Sequence, residues 1–301
     1  MAPHPSDLED LRRRIDEIDD RLQDLLIERG GIVLDVASRK RAGSVAFHQP
    51  AREAEIIRRL LQRHRGEFPT GALVRIWREM IGAMVRLEGP FAVAVYAPPE
   101  AQGYWDLARD HYGSHAPMSG YATTGQVIRA MADGHAAVGV LPMPQQSDPD
   151  PWWWHLLSQD ADALRVIARL PFGPRGNARR DVGDALAIGH GVQQPTGRDR
   201  TLIATENALG ISRHRMFDTL KGLDLQCTLL AAYEYPERGY HLIELEGFVP
   251  ITDPRLERFR LRLGEALHRL LPFGGYAVPP PEPQVVRGAG ETERRAAEAK
   301  G

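Results

Sequence analysis

Arginine and lysine residues in the first forty positions stand where chemistry on an anion would need them. Apolar residues at 8, 11, 15, 18, 22, 25, 32 and 36 recur at steps of three and four, the seam of a long helix packed against other helices. Position 29 belongs to that seam and holds Arg29. A guanidinium in a helix seam is desolvated, so it calls for an anion. Lys40 lies eleven residues further on, about three turns along the same face and ~16 Å away. Two long side chains at that separation reach one small anion between them.

Arg12 also flanks the seam, ~40 Å from Lys40 along a straight helix. It cannot serve the same ligand in the same chain. If two copies of the helix cross antiparallel near residues 21 to 24, Arg12 of one chain arrives near Arg29 and Lys40 of the other. The expectation is a two-fold homodimer with two sites, each lined by cations from both chains. Taken singly these residues have plainer readings. Arg12-Arg13-Arg14 is otherwise a solvated run, and Lys40 a helix-end cation favoured by the dipole.

The elements that position them can be read from punctuation and periodicity. Ser6 or Asp7 is the expected N-cap of helix one, which runs to about Arg41 and stops at Gly43. Pro50 opens helix two, to about His64, with Ile56, Ile57, Leu60 and Leu61 inward. Pro69 and Thr70 start helix three, whose apolar stripe is Leu73, Ile76, Trp77, Met80, Met84 and Leu87. Glu88 continues that stripe one turn beyond Met84, at a helix end where the dipole disfavours an acid.

Residues 8–88 resemble the all-helical class of chorismate mutase found at the front of bifunctional chorismate mutase–prephenate dehydratases. The motifs are Leu11-Arg12-Arg13-Arg14-Ile15-Asp16-Glu17-Ile18-Asp19, Leu25-Leu26-Ile27-Glu28-Arg29, Lys40, Arg52-Glu53, and Trp77-Arg78-Glu79-Met80-Ile81 through Leu87-Glu88. The resemblance implies chorismate as substrate, no cofactor and no metal. Chorismate is a dianion that rearranges to prephenate by a concerted pericyclic shift. The enzyme holds the folded conformer and stabilises charge as the ether bond breaks.

Arg29, and Arg12 of the other subunit, then clamp the two carboxylates. Glu53 takes the ring hydroxyl, Arg52 supports that end of helix two, and Lys40 donates to the ether oxygen. Donors aimed at such charge are typically worth ~3–4 kcal/mol each. Three positions depart from the family pattern: Glu88 stands for a common Gln, Gln49 for an Asp, and Met84 for a small polar residue. A Glu at 88 donates a hydrogen bond only when protonated, which predicts activity that falls as pH rises.

From Pro90 the texture becomes βαβ: a strand at Phe91–Tyr96, helices at Ala101–Tyr112 and Val127–Asp133, and a strand at Ala136–Leu141. Residues 90–192 resemble a prephenate dehydratase with most of its second lobe absent. Gly183 and Asp184 replace the Thr and Arg of the family's catalytic motif, and a glycine has no hydroxyl. We therefore expect a degenerate region without dehydratase activity. Trp152-Trp153-Trp154 reads as packing rather than a stacking site.

Gln193–Asp199 reads as a linker. Residues 199–279 then give strand, helix, strand, strand, helix (Pro254–Leu270), strand, a ferredoxin-like βαββαβ unit. It resembles the ACT regulatory domain, but without that family's effector motifs, so an aromatic amino acid effector stays open beside a structural role. Residues 280–301 read as a disordered tail, and the mutase domain as 6–89.

Composition bounds the rest. The 301 residues carry a net charge of −2, so no basic surface points to nucleic acid. A lone Cys227 excludes an internal disulfide and suits a cytoplasmic home; it lies in an expected strand and reads as packed. No apolar run is long enough for a membrane. The fold class expected is therefore multidomain: an all-α intertwined mutase dimer, an α/β dehydratase-lobe remnant, and a ferredoxin-like unit. Two other functions use the same residues: an isochorismate pyruvate-lyase, which shares the cations, and a non-catalytic regulatory or partner protein of the same pathway.

Overall fold

A 38-residue helix, α1 (Pro5–Ala42), leads the chain. The computed structural model describes residues 5–42, 48–146, 148, 151–160, 162–209 and 211–279. Two further helices follow, α2 (Pro50–Arg63) and α3 (Thr70–Glu88). α1 already runs at Pro5, upstream of Ser6 and Asp7, so neither is the N-cap that the sequence suggested. Proline serves as the first helical residue instead, where its missing N–H costs nothing. The expected stop at Gly43 and the tail at 280–301 lie outside the described residues.

The α1 seam is bare in the single chain. Leu11, Ile15, Ile18, Leu22 and Leu25 are 46–58% exposed. An apolar stripe of this length on a helix is the surface of something that packs against it.

α2 and α3 are otherwise placed. Ala54 and Ile57 of α2 and Ile81 and Val85 of α3 share one core with Val93, Val95, Val138, Val140, Leu170, Ala185 and Ala187. The helical segment is thus built onto one face of a sheet. This buries a face of α3 (Arg78, Ile81, Gly82, Val85, Glu88) different from the stripe most apparent in the sequence, where Ile76 and Leu87 stay about half exposed. Gly82 permits the close approach: a side chain there would collide with the carbonyl of Tyr112 at the end of α4 (Gly103–Tyr112).

The sheet has nine strands: β1 (Val93–Tyr96), β2 (Met118–Tyr121), β3 (Val138–Pro142), β4 (Arg165–Leu170), β5 (Ala185–Gly189), β6 (Asp199–Ala208), β7 (Cys227–Tyr235), β8 (Arg238–Glu246) and β9 (Leu267–Ala277). Their order is β2-β1-β3-β5-β4-β9-β6-β8-β7. β2 was not expected. It is a short edge strand, Met-Ser-Gly-Tyr, without an apolar alternation to betray it. β1, β2 and β3 run parallel, linked through α4 and α5 (Thr124–Ala132).

β6 to β9, with α6 (Arg213–Lys221) and α7 (Pro254–Leu263), follow the order β-α-β-β-α-β and pair antiparallel as β9-β6-β8-β7. α7 ends seven residues before the expected Leu270. Gly264 turns into the left-handed region at φ +57°, and the chain re-enters the sheet at Leu267. Leu263, Leu267 and Leu270 keep helical spacing, which is why the helix read longer.

The two parts of the sheet are continuous. β4 meets β9 in parallel at Val166 and Gly274, where a side chain on Gly274 would strike the Val166 backbone. Between β3 and β4 the chain makes a 3-10 turn at Trp152–Leu156. Trp152 and Trp153 are buried, and the Trp152 indole N–H donates to the Pro142 carbonyl at 3.0 Å.

Candidate active site

The last turn of α3 carries Glu88 between the two cations of α1. Lys40 Nζ donates to Glu88 Oε2 in a largely buried ion pair. Arg29 lies on the other side. Burial lowers the Arg29 guanidinium from its usual pKa, and the Glu88 carboxylate works in the opposite direction. Arginine remains charged under such a shift. The anion that the seam called for is, in the single chain, the protein's own Glu88.

Arg29 is not satisfied by it. Its Nη1 is buried with no hydrogen-bond partner among the described residues. A charged donor left unpaired in a buried setting carries the full cost of its desolvation. The arrangement therefore has unfilled capacity for an acceptor. Arg41 closes the corner by donating to the Glu88 carbonyl at 3.1 Å.

A second carboxylate sits at the start of α2. Glu53 is buried and accepts from Arg78 Nη1 of α3 at 3.0 Å. His48 Nε2 lies 3.3 Å from its other oxygen. Burial lowers the His48 pKa, Glu53 opposes this, and Arg78 and Lys40 add to it. His48 thus connects the two halves of the cluster: Arg29, Glu88 and Lys40 on one side, Glu53 and Arg78 on the other.

The remaining sequence candidates fall outside it. Arg52 is well exposed and pairs with Glu55 at 3.1 Å on the outer face of α2. Gln49 is the N-cap residue of α2, its carbonyl accepting from the Glu53 N–H. It borders a small cavity of about 140 Å³ shared with His190–Gln194 of the sheet region. Met84 is half-buried on α3, one turn before Glu88. Arg12 is exposed on α1, ~26 Å from Arg29 at the rise of a straight helix.

Residues 11–89 match the sequence profile of chorismate mutase type II. These residues are a chorismate mutase type II domain. The bifunctional chorismate mutase/prephenate dehydratase of Pseudomonas aeruginosa is 30% identical over 146 residues, 47% of this chain and 40% of that protein. The corresponding bifunctional protein of Aquifex aeolicus is 33% identical over 141 residues, 46% and 39% respectively. The chain thus spans about two fifths of the length of these curated relatives. The solved prephenate dehydratase of Streptococcus mutans overlaps 63% of this chain and 98% of its own, at 14% identity and TM-score 0.42.

Within the mutase domain, Arg41, His48 and Arg78 were missed from the sequence. Arg78 had a signal of the same kind as Arg29. Val74, Arg78, Ile81, Val85 and Glu88 step by four and three, and a charged residue in such a row is a desolvated one. The apolar row beside it drew the reading away.

Beyond the mutase domain, Gly183 and Asp184 stand at the entry to β5. Asp184 is committed to ion pairs with Arg169 at 2.8 Å and Arg175 at 3.0 Å. Among the described residues, no group of three His, Cys, Asp or Glu side chains is placed to hold a metal. No described helix is long and apolar enough to cross a membrane.

Proposed function

We propose that the chain rearranges chorismate to prephenate as a homodimer, without metal or cofactor. The observation that carries this reading is the buried, unpartnered Arg29 Nη1 beside the Lys40–Glu88 pair. A bidentate contact to a substrate carboxylate satisfies that donor. Lys40, released from or shared with Glu88, donates to the ether oxygen where charge grows. Glu53 accepts from the ring hydroxyl. No nucleophile is needed, and positioning plus electrostatics supply the catalysis.

The bare α1 seam supports the dimer. A second copy covers it and brings Arg12 to the other chain's Arg29. Glu88 holds Lys40 at the ether-oxygen end of the site, while Gln49 and Met84, at the edge of the cluster, border the hydroxyl and one carboxylate. Arg52 acts at a distance, through the start of α2. The domain limits are 6–89, 90–192 and 199–279, and the protein works in the cytoplasm. Residues 199–279 serve as an ACT-like structural unit.

Dehydratase activity is not part of this proposal. Gly183 offers no hydroxyl for proton transfer, and Asp184 is tied to two arginines. Proton NMR of the purified protein incubated with chorismate tests the whole reading. Prephenate is the expected product, with no phenylpyruvate. Pyruvate from isochorismate, with chorismate untouched, identifies a lyase instead, and no turnover of either leaves a binding or partner protein.

A further inference from the structure

Glu53 does not stand alone on the mutase side of the molecule. Arg78, which holds it, is itself 3% exposed. Its guanidinium carbon lies 5.3 Å from the centre of the Phe172 ring, which belongs to the segment after β4. Tyr112 and His111 of α4 complete the surroundings. The Tyr112 hydroxyl is buried without a hydrogen-bond partner among the described residues; burial raises its pKa first, and Glu53 adds to this while Arg78 opposes it. His111 packs edge-on against Tyr112 at 4.7 Å and borders the same cavity of about 280 Å³ as Arg78 and Phe172.

We infer that Arg78 is a positioning residue for the mutase reaction: it fixes the Glu53 carboxylate from behind, and the sheet region fixes Arg78. The inference rests on the mutase reading above. The geometry makes it specific. Glu53 has two oxygens, and Arg78 takes Oε2 while His48 lies against Oε1. A carboxylate so flanked has one rotamer and a fixed direction for its remaining lone pairs. The guanidinium lies over the Phe172 ring while its Nη1 donates to Glu53, a pairing a lysine ammonium does not reproduce.

The consequence is that the part of the chain read as a degenerate dehydratase has a task. Phe172, His111 and Tyr112 form the back wall of the mutase site. A charged pair buried this deeply is worth little as general stability but fixes geometry.

The test is a double-mutant cycle in the full-length protein, using Arg78→Met, Glu53→Gln and the double variant, with chorismate turnover as readout. Arg78→Met is expected to lower kcat/KM about 100-fold, the scale on which a misplaced binding group acts. In the Glu53→Gln background it should cost less than about threefold further, because the residue it positions is already changed. A merely structural role gives losses that multiply. Multiplying losses overturn the inference, as does an Arg78→Met protein with wild-type kinetics.

Arg75→Met, at a half-buried pair with Asp110 one turn along α3 from Arg78, is the matched control and should leave turnover unchanged. If Arg78→Met does not fold, Arg78→Lys carries the same cycle with the charge kept. A wild-type protein that makes no prephenate overturns the mutase reading itself and this inference with it. Additive losses in an active enzyme overturn the inference alone.

Discussion

Arg12 and Arg29 should complement each other between subunits, and the size of the effect can be worked out. Along α1 they are ~26 Å apart, too far for one substrate of ring size. In the proposed dimer each site combines Arg29 of one chain with Arg12 of the other. Removing either arginine deletes a charge-assisted, two-pronged contact worth about 3 kcal/mol or more, at least about 100-fold in rate. Arg12→Ala and Arg29→Ala are therefore each nearly inactive.

Mixed and allowed to exchange subunits, half of the dimers become heterodimers. Each heterodimer has one site with both arginines and one with neither, so the mixture regains about a quarter of wild-type activity. Heterodimer purified through two different tags should reach about half. The assay is the initial rate of chorismate loss, before and after exchange, with dimer mass checked by light scattering. Activity no higher than the average of the two single variants, in a mixture shown to contain heterodimer, refutes the crossed-helix arrangement.

Other consequences follow from particular contacts. Arg58 of α2 donates to the carbonyls of Thr196, Arg198 and Val278, at 2.9, 2.6 and 3.0 Å, clamping the helix to the sheet. Arg58→Met should cost about 3 kcal/mol and lower the melting temperature by roughly 6 °C, which calorimetry can check.

His241 is buried, accepts at Nδ1 from the Asn207 amide at 2.8 Å, and has its pKa pushed down to about 4, by burial first and Arg213 second. The unfolded chain binds this proton near pH 6.5 and the folded one does not, so stability is full above 6.5 and is lost as pH falls toward 4. The loss amounts to about 3 kcal/mol. His241→Gln should remove that component from urea titrations across this range, and an identical pH dependence in the variant refutes the assignment.

The charged cluster was legible in part because charge violates periodicity, although Arg12, Gln49, Arg52 and Met84 fall outside it. Arg29 is visible as a guanidinium in an apolar row, and Glu88 as an acid at the wrong end of a helix. Helix positions were readable for the same reason: Pro50 and Pro69-Thr70 punctuate long rows of three-and-four spacing. What the sequence withheld was which face each row meets. The row containing Arg78 is buried against α4, β1 and the Phe172 segment, and local periodicity carries no record of those partners.

The sheet itself was less readable where its strands lack alternation. β2 is mostly exposed and contains a serine and a glycine. β9 begins inside leucine spacing that continues α7, and only the left-handed Gly264 separates them. The pairing of β4 with β9 depends on Gly274 lying against the Val166 backbone, a contact between remote segments that no local pattern encodes. The α1 seam shows the opposite case. Its residues were read as packed against other helices, and in the single chain they are bare; the proposed dimer would cover them.

The most direct test of the central claim is the initial rate of chorismate loss with purified wild-type protein and with Lys40→Ala. Prephenate formed by the wild type, and reduced at least about 100-fold in the variant, is the predicted result. A wild type without turnover, or a Lys40→Ala protein as active as the wild type, contradicts it.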